Sequence, residues 1–309
     1  RLVGSEMCIR DSLGPYGAPG IVPLSPQPEV LMPTDHRIVA YHQTHGHGDT
    51  FVDLSPLGAS APLTHLIVAA LHIADDGTVI LNDHPVDDDY HTQLWDQLDA
   101  VRSRGVRVLA MVGGWAPGTM CKLDGESLSI YYPGLRDFLT QRHFDGIDID
   151  VEQEMSLPGV CTLIERFRSD FDEDFEIVLA PVASALHGDA NLSGFDYQEL
   201  HQLRGDDIDF YNAQFYSGFG SLASPDDYIS IVEHSIIPVN KIVTGMAGSP
   251  DAAQGFVDMA TVSDTISTLC QRYPNFGGVD VWEYPLALPG APDHPDQWVH
   301  VMHHAMSHR

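Results

Sequence analysis

The sequence predicts an α/β protein built as a single (β/α)8 barrel, the TIM-barrel architecture, and three observations point there. Eight short apolar segments rich in Val and Ile recur from Arg37 onward, each bounded by Gly, Pro, Asp or Asn, as buried parallel strands are. Helical patterns lie between most of them. The eight units together occupy roughly 270 residues, the usual size of that barrel. An open doubly wound sheet is the alternative. It would be expected to carry Gly-x-Gly-x-x-Gly after its first strand, and no such run is present there.

Taken in order, the strand segments are 37–44, 63–74, 106–115, 144–152, 175–184, 208–217, 241–249 and 276–284. The first clear helix, 90–104, puts Leu94, Leu98 and Val101 on one face. Further helical patterns cover 127–142, 161–171, 225–235, 262–272 and 297–306, and those after the first and fifth strands are weaker. One catalytic domain is expected over 35–309. Residues 1–34 read as an irregular leader, because Pro15, Pro19, Pro23, Pro26, Pro28 and Pro33 break every periodic pattern. Residues 1–12 resemble a stray translated sequencing-adaptor segment. They have neither the apolar core nor the cleavage site of a signal peptide, so the natural start, with any signal peptide, is expected to be missing.

Composition limits the function. A hydrophobic share of 43% with 9% aromatic residues is ample for a real core. No apolar run approaches the ~18 residues that span a bilayer. A formal net charge of −29 opposes binding to nucleic acid or to an anionic membrane surface. Lys122 and Lys241 are the only lysines. An Asp-rich, Lys-poor surface suggests adaptation to high salt, and a melting temperature that rises from low to molar salt is expected. Cys8, Cys121, Cys161 and Cys270 are too scattered for a disulfide framework. At most one bridge is plausible, and free core thiols serve equally well.

The most informative stretch is Asp145-Gly-Ile-Asp-Ile-Asp-Val-Glu152. On a strand, side chains alternate faces. Asp148, Asp150 and Glu152 therefore share one face, and Ile147, Ile149 and Val151 the other. A half-exposed strand in an acidic protein is the plain alternative, but an acidic row backed by a dry face is where functional carboxylates sit. Crowded carboxylates repel, so at least one is expected to hold a proton near neutral pH and to be able to donate it. In a barrel, catalytic groups sit at the C-terminal strand ends, and Glu152 falls at the end of the fourth strand. Asp145 has the other parity and reads as structural.

Other strand ends add to this one. The third ends in Gly113-Gly114-Trp115, where small residues let backbone or ligand approach. On the sixth, Gln214 and Tyr216 share a face. The eighth carries Trp282, a flat apolar floor of the kind on which sugar rings stack. Each alone is as well explained by packing or turns; together they suggest a site for glycoside chemistry.

Asp145-x-x-Asp148-x-Asp150-x-Glu152, with Gln214-x-Tyr216 and Trp282, resembles the signature of glycoside hydrolase family 18, the chitinases and endo-β-N-acetylglucosaminidases. The resemblance covers the chain from Arg37 to the eighth strand. It implies substrate-assisted retaining hydrolysis with no metal or organic cofactor. Glu152 would be the acid and base, Asp150 would orient the 2-acetamido N–H, Asp148 would share a proton with Asp150, and Tyr216 would bond the acetamido carbonyl. Trp282, Gln214, Tyr41, Gly113, Gly114 and Trp115 would line the sugar site. The expected partner is chitin or another N-acetylglucosamine oligosaccharide, met outside the cell by a monomer. One departure is visible: the family's usual Ser-x-Gly-Gly on the third strand is Met111-Val112-Gly113-Gly114 here. That Ser normally supports the acid row, so its proton affinities are expected to differ.

Some family members carry a small α+β insertion after the seventh strand. About 26 residues separate Ser249 from Phe276, too few for it. An open groove and endo-acting chitinase activity are therefore expected, with an endo-β-N-acetylglucosaminidase on N-glycans as the alternative. An inactive chitin-binding barrel is a rival from another class; such relatives usually lose the acid at Glu152 or its Asp partner, and both are present. His42, His45 and His47 could open a metal site, but that chemistry also wants histidines on the fifth and sixth strands, and neither has one. These histidines are expected to line the groove or to form a solvated loop. His300, His303, His304 and His308 read as a solvated helix end.

Overall fold

The computed structural model of the chain describes residues 36–47 and 50–307. The readings of residues 1–34 as a leader and of 1–12 as foreign lie outside them, as do Cys8 and His308.

Eight parallel strands close into a barrel: β1 (Arg37–His42), β2 (His65–Ile73), β3 (Arg107–Gly113), β4 (Gly146–Asp150), β5 (Glu176–Leu179), β6 (Phe210–Gln214), β7 (Ile242–Ala247) and β8 (Gly278–Trp282). Each pairs with its sequence neighbours, and β1 closes on both β2 and β8. All eight expected strands are therefore present, shorter than their apolar runs because the flanking residues leave the ladder. The helices are α1 (Thr92–Arg102), α2 (Leu128–Gln141), α3 (Leu157–Asp170), α4 (Tyr197–Arg204), α5 (Asp226–His234), α6 (Met259–Arg272) and α7 (Asp296–Ser307).

Among the described residues, the segment after β1 holds no α-helix. Its described part is a short antiparallel pairing of Gly46–His47 with Thr50–Phe51, then turns around Pro56 and Gly58. Gly and Pro at this density break a helix. After β5 comes a 3-10 turn at Ala183–His187 before α4, which Asp196 caps by accepting from Gln198 N and Glu199 N. Between β7 and β8 lie a loop and α6 only.

Two apolar cores follow from strand alternation. The larger lies between strands and helices and takes Ile147, Ile149 and Val151. The smaller fills the barrel and includes Val39, Ile67, Leu109, Val178, Phe210 and Val243 near the strand starts. Further along the same strands the interior turns polar, with Asp148, Asp150, Asn212, Gln214, Thr244 and Asp280 all buried. A dry plug thus supports a polar mouth, and that places the site.

Asp145 is structural, as its parity implies: its carboxylate accepts from Val108 N at 2.7 Å and lies 3.6 Å from Arg102 Nε. Cys121, Cys161 and Cys270 are thiols.

The histidine readings need correcting. His42 and His45 are 1% and 4% exposed, packed ring to ring at 4.9 Å, and His45 continues toward His91. They neither line the groove nor face solvent, because the chain after β1 folds back over them. Among the described residues, no three His, Cys, Asp or Glu side chains converge as metal ligands would. His303 is likewise buried on the inner face of α7.

Candidate active site

Strand β4 carries the acids inward. Its register sets Asp148 beside Met111 and Asp150 beside Gly113 on β3. The ladder ends at Asp150, so Glu152 stands two residues beyond the strand, on chain that has left the sheet. Asp150 and Glu152 line a cavity of about 480 Å3 at the C-terminal mouth, while Asp148 lies fully buried behind them.

Gln214 binds the acids directly. Its Nε2 donates to Asp150 Oδ1 at 3.3 Å, Glu152 Oε1 at 3.2 Å and Ala180 O at 3.0 Å. The Tyr41 hydroxyl donates to Asp148 Oδ2 at 2.8 Å and accepts from Asn212 Nδ2 at 2.9 Å. Both residues border the cavity as expected, but their polar groups are first of all partners of the carboxylates.

Burial dominates the electrostatics. It pushes the Asp148 carboxyl up to about 7, partly offset by the Tyr41 hydrogen bond. Burial, then Glu152 and Asp148, hold Asp150 well above the usual carboxylate range. Glu152 is raised by burial and eased down by the Gln214 amide. Tyr216 is held far above an ordinary phenol by burial and by the acids around it, Asp280 first, so it stays a hydrogen-bond donor.

A fourth carboxylate belongs to this group and was not anticipated. Asp280, 2% exposed on β8, borders the cavity; burial and then Asp148 raise its carboxyl well above the normal range. Among the described residues, its Oδ2 and the Oδ1 of Asn212 are buried without a partner. Gly245 on β7 makes room for it: a Cβ there would stand 2.7 Å from Asp280 Oδ1. The signals were present in the sequence. Asp280 interrupts an apolar strand, and Asn212 shares strand parity with Gln214 and Tyr216.

The remaining expected residues lie around the same cavity. Gly113, with φ of +107°, leaves no space for a side chain: a Cβ would meet Asp150 O at 2.2 Å. Gly114 N donates to Asp150 O at 2.9 Å. Trp282 packs its ring 5.4 Å from Tyr41. Trp115 borders the cavity with 79% of its surface exposed. Glu283, next to Trp282, accepts from Gln43 N, Thr44 N and Thr44 Oγ1, tying the chain after β1 to the mouth. The arrangement can hold one proton among coupled acids, donate another from Glu152, and press a flat ligand against indole rings.

A family-level sequence profile described as glycosyl hydrolases family 18 matches residues 37–261. Among solved structures, a fungal endo-β-N-acetylglucosaminidase of that family is 41% identical, with a TM-score of 0.84, covering 88% of this chain and 98% of its own. The chitinase ChiC of Aspergillus fumigatus is also 41% identical, with a TM-score of 0.80, covering 88% and 99%. Chitinase 2 of Rhizopus oligosporus is 30% identical over 145 residues, which are 45% of this chain and 25% of that relative's length. This chain therefore matches only a quarter of that relative.

Proposed function

The chain belongs to glycosyl hydrolase family 18, and from that premise we propose that it is an endo-acting chitinase cleaving β-1,4 linkages between N-acetylglucosamine units with retention of configuration. The observation that carries this reading is the buried acid row, with Gln214 bridging Asp150 and Glu152 at the cavity wall.

Glu152, whose carboxyl burial raises, gives a proton to the glycosidic oxygen as the bond breaks. The substrate's own acetamido carbonyl oxygen attacks the anomeric carbon, forming an oxazolinium ion. Asp150 accepts the acetamido N–H and offsets the developing positive charge, while Asp148 takes or returns the proton they share. Tyr216 donates to the carbonyl oxygen. Glu152, now ionised, removes a proton from water, which opens the ring and restores the starting state. No step calls on a metal or an organic cofactor. Glu152, Asp150 and Tyr216 are all present, which supports hydrolysis over sugar binding alone.

All the groups come from one chain, so a monomer suffices. A polymer too large to enter a cell fits action outside it. Only a loop and α6 connect β7 and β8, which supports an open groove suited to internal cleavage of a long chain. The endo-β-N-acetylglucosaminidase among the similar structures supports a second reading, release of N-glycans, since that reaction cuts the same sugar linkage. Product analysis on chitin oligomers beside a high-mannose glycoprotein separates the two. Short N-acetylglucosamine oligomers from the first and none from the second are expected. Intact glycans from the second alone would replace chitinase with the alternative.

A further inference from the structure

Gln153 follows Glu152 directly, yet its side chain turns away from the acids toward the loop after β3. Its Nε2 donates to Gly114 O at 3.2 Å and to Ala116 O at 2.7 Å, and its Oε1 accepts from Gly118 N at 2.8 Å. Three hydrogen bonds thus span the five residues centred on Ala116. Between them stands Trp115, an indole with 79% of its surface exposed at the cavity edge. An exposed indole without a fixed backbone loses ordering entropy each time a ligand rests on it. Here the backbone is fixed on both sides of the ring, and Gly114 N is also tied to Asp150 O. The loop therefore moves with the segment 150–153 that holds Asp150 and Glu152.

Glutamine is the residue type this bridge needs. Two carbonyls require two N–H donors and the Gly118 amide requires an acceptor, at a reach that asparagine lacks. Glutamate would set a carboxylate against two carbonyl oxygens.

We propose that Gln153 is a positioning residue: its amide fixes the loop after β3 and aims the Trp115 indole along the cavity rim, so that it sets how strongly the protein holds sugar units beyond those the cavity encloses. The inference rests on the function proposed above and adds the residue that governs chain-length preference.

The test uses the full chain with Gln153→Leu, Trp115→Ala and the double variant. Substrates are an N-acetylglucosamine hexamer and an aryl chitobioside with a small leaving group. Gln153→Leu should raise the hexamer KM about five- to tenfold through the lost platform and change kcat on the short substrate by less than about twofold. In the Trp115→Ala background it should add nothing, because both changes remove the same interaction. Hydrogen exchange at the amides of Gly114, Trp115, Ala116 and Gly118 should quicken in Gln153→Leu. Additive effects on KM, an unchanged hexamer KM, or a kcat loss on the short substrate would each overturn the inference. If the wild type cleaves neither substrate, the proposed function fails, and the exchange experiment alone decides the latch: faster exchange supports it and unchanged exchange overturns it.

Discussion

Gln214 Nε2 lies 3.2 Å from Glu152 Oε1, so the acid proposed as proton donor is also held by a group that favours its ionised form. Burial raises the Glu152 carboxyl and Gln214 limits the rise. In Gln214→Leu that limit is gone, and Glu152 keeps its proton to higher pH. The alkaline limb of the kcat/KM profile should move to higher pH. A limb that stays in place or moves down would show that Glu152 does not set it.

Tyr41 joins Asp148 to Asn212. Tyr41→Phe removes the donor that holds the Asp148 carboxyl at about 7 rather than higher and leaves the Asn212 amide unpaired. Stability should fall by about 1–3 kcal/mol in urea unfolding. The rate should fall as well, since Asp148 then holds its proton more tightly and shares it less readily with Asp150. Loss of stability with an unchanged rate would make Tyr41 a packing residue only.

Asp280 costs stability where it ionises. Its folded carboxyl sits well above the ordinary range, so its contribution is intact in acid and is lost as pH rises through the folded value. Asp280→Asn should leave the melting temperature near unchanged at pH 4 and raise it by roughly 2–6 °C at pH 8. A variant less stable than the wild type at both pH values would mean that its orphaned oxygen has an unseen partner.

Two glycines of positive φ separate strain from crowding. Gly77, at +89°, has open space around an added Cβ, whereas Gly113 does not. Gly77→Ala should cost about 1 kcal/mol. Gly113→Ala should cost more than about 3 kcal/mol or abolish activity, because the methyl group must displace the Asp150 backbone. Equal costs at the two positions would contradict the close approach of β3 and β4.

The fold was legible because buried parallel strands announce themselves as short branched apolar runs, and all eight do here. The acid row was legible because strand alternation turns Asp148 and Asp150 to one side whatever the tertiary structure, with Glu152 following two residues beyond the strand end. Other features depend on which strands stand opposite each other. Asp280 meets Asp148 across the barrel, and that pairing has no local signature. His42 and His45 are polar residues in a Gly-rich segment; that they are buried follows only once the chain folds back against His91 and Trp95. Gln214 and Tyr41 border the cavity, but the sequence does not say that their polar groups would be taken up by carboxylates. Gln153 reads as an ordinary residue after the motif until the β3 loop is seen beside it.

In the proposed mechanism the substrate's acetamido oxygen is the nucleophile and Glu152 the proton donor. That mechanism is tested most directly by initial rates on aryl chitobiosides whose N-acetyl group carries zero, one, two or three fluorines at the cleaved sugar. Fluorine draws electron density from the carbonyl oxygen and leaves the leaving group untouched. Acetamido attack requires a steep fall in kcat/KM with each fluorine. A rate that does not vary with fluorination would mean that a protein side chain or water attacks the anomeric carbon, and would contradict it.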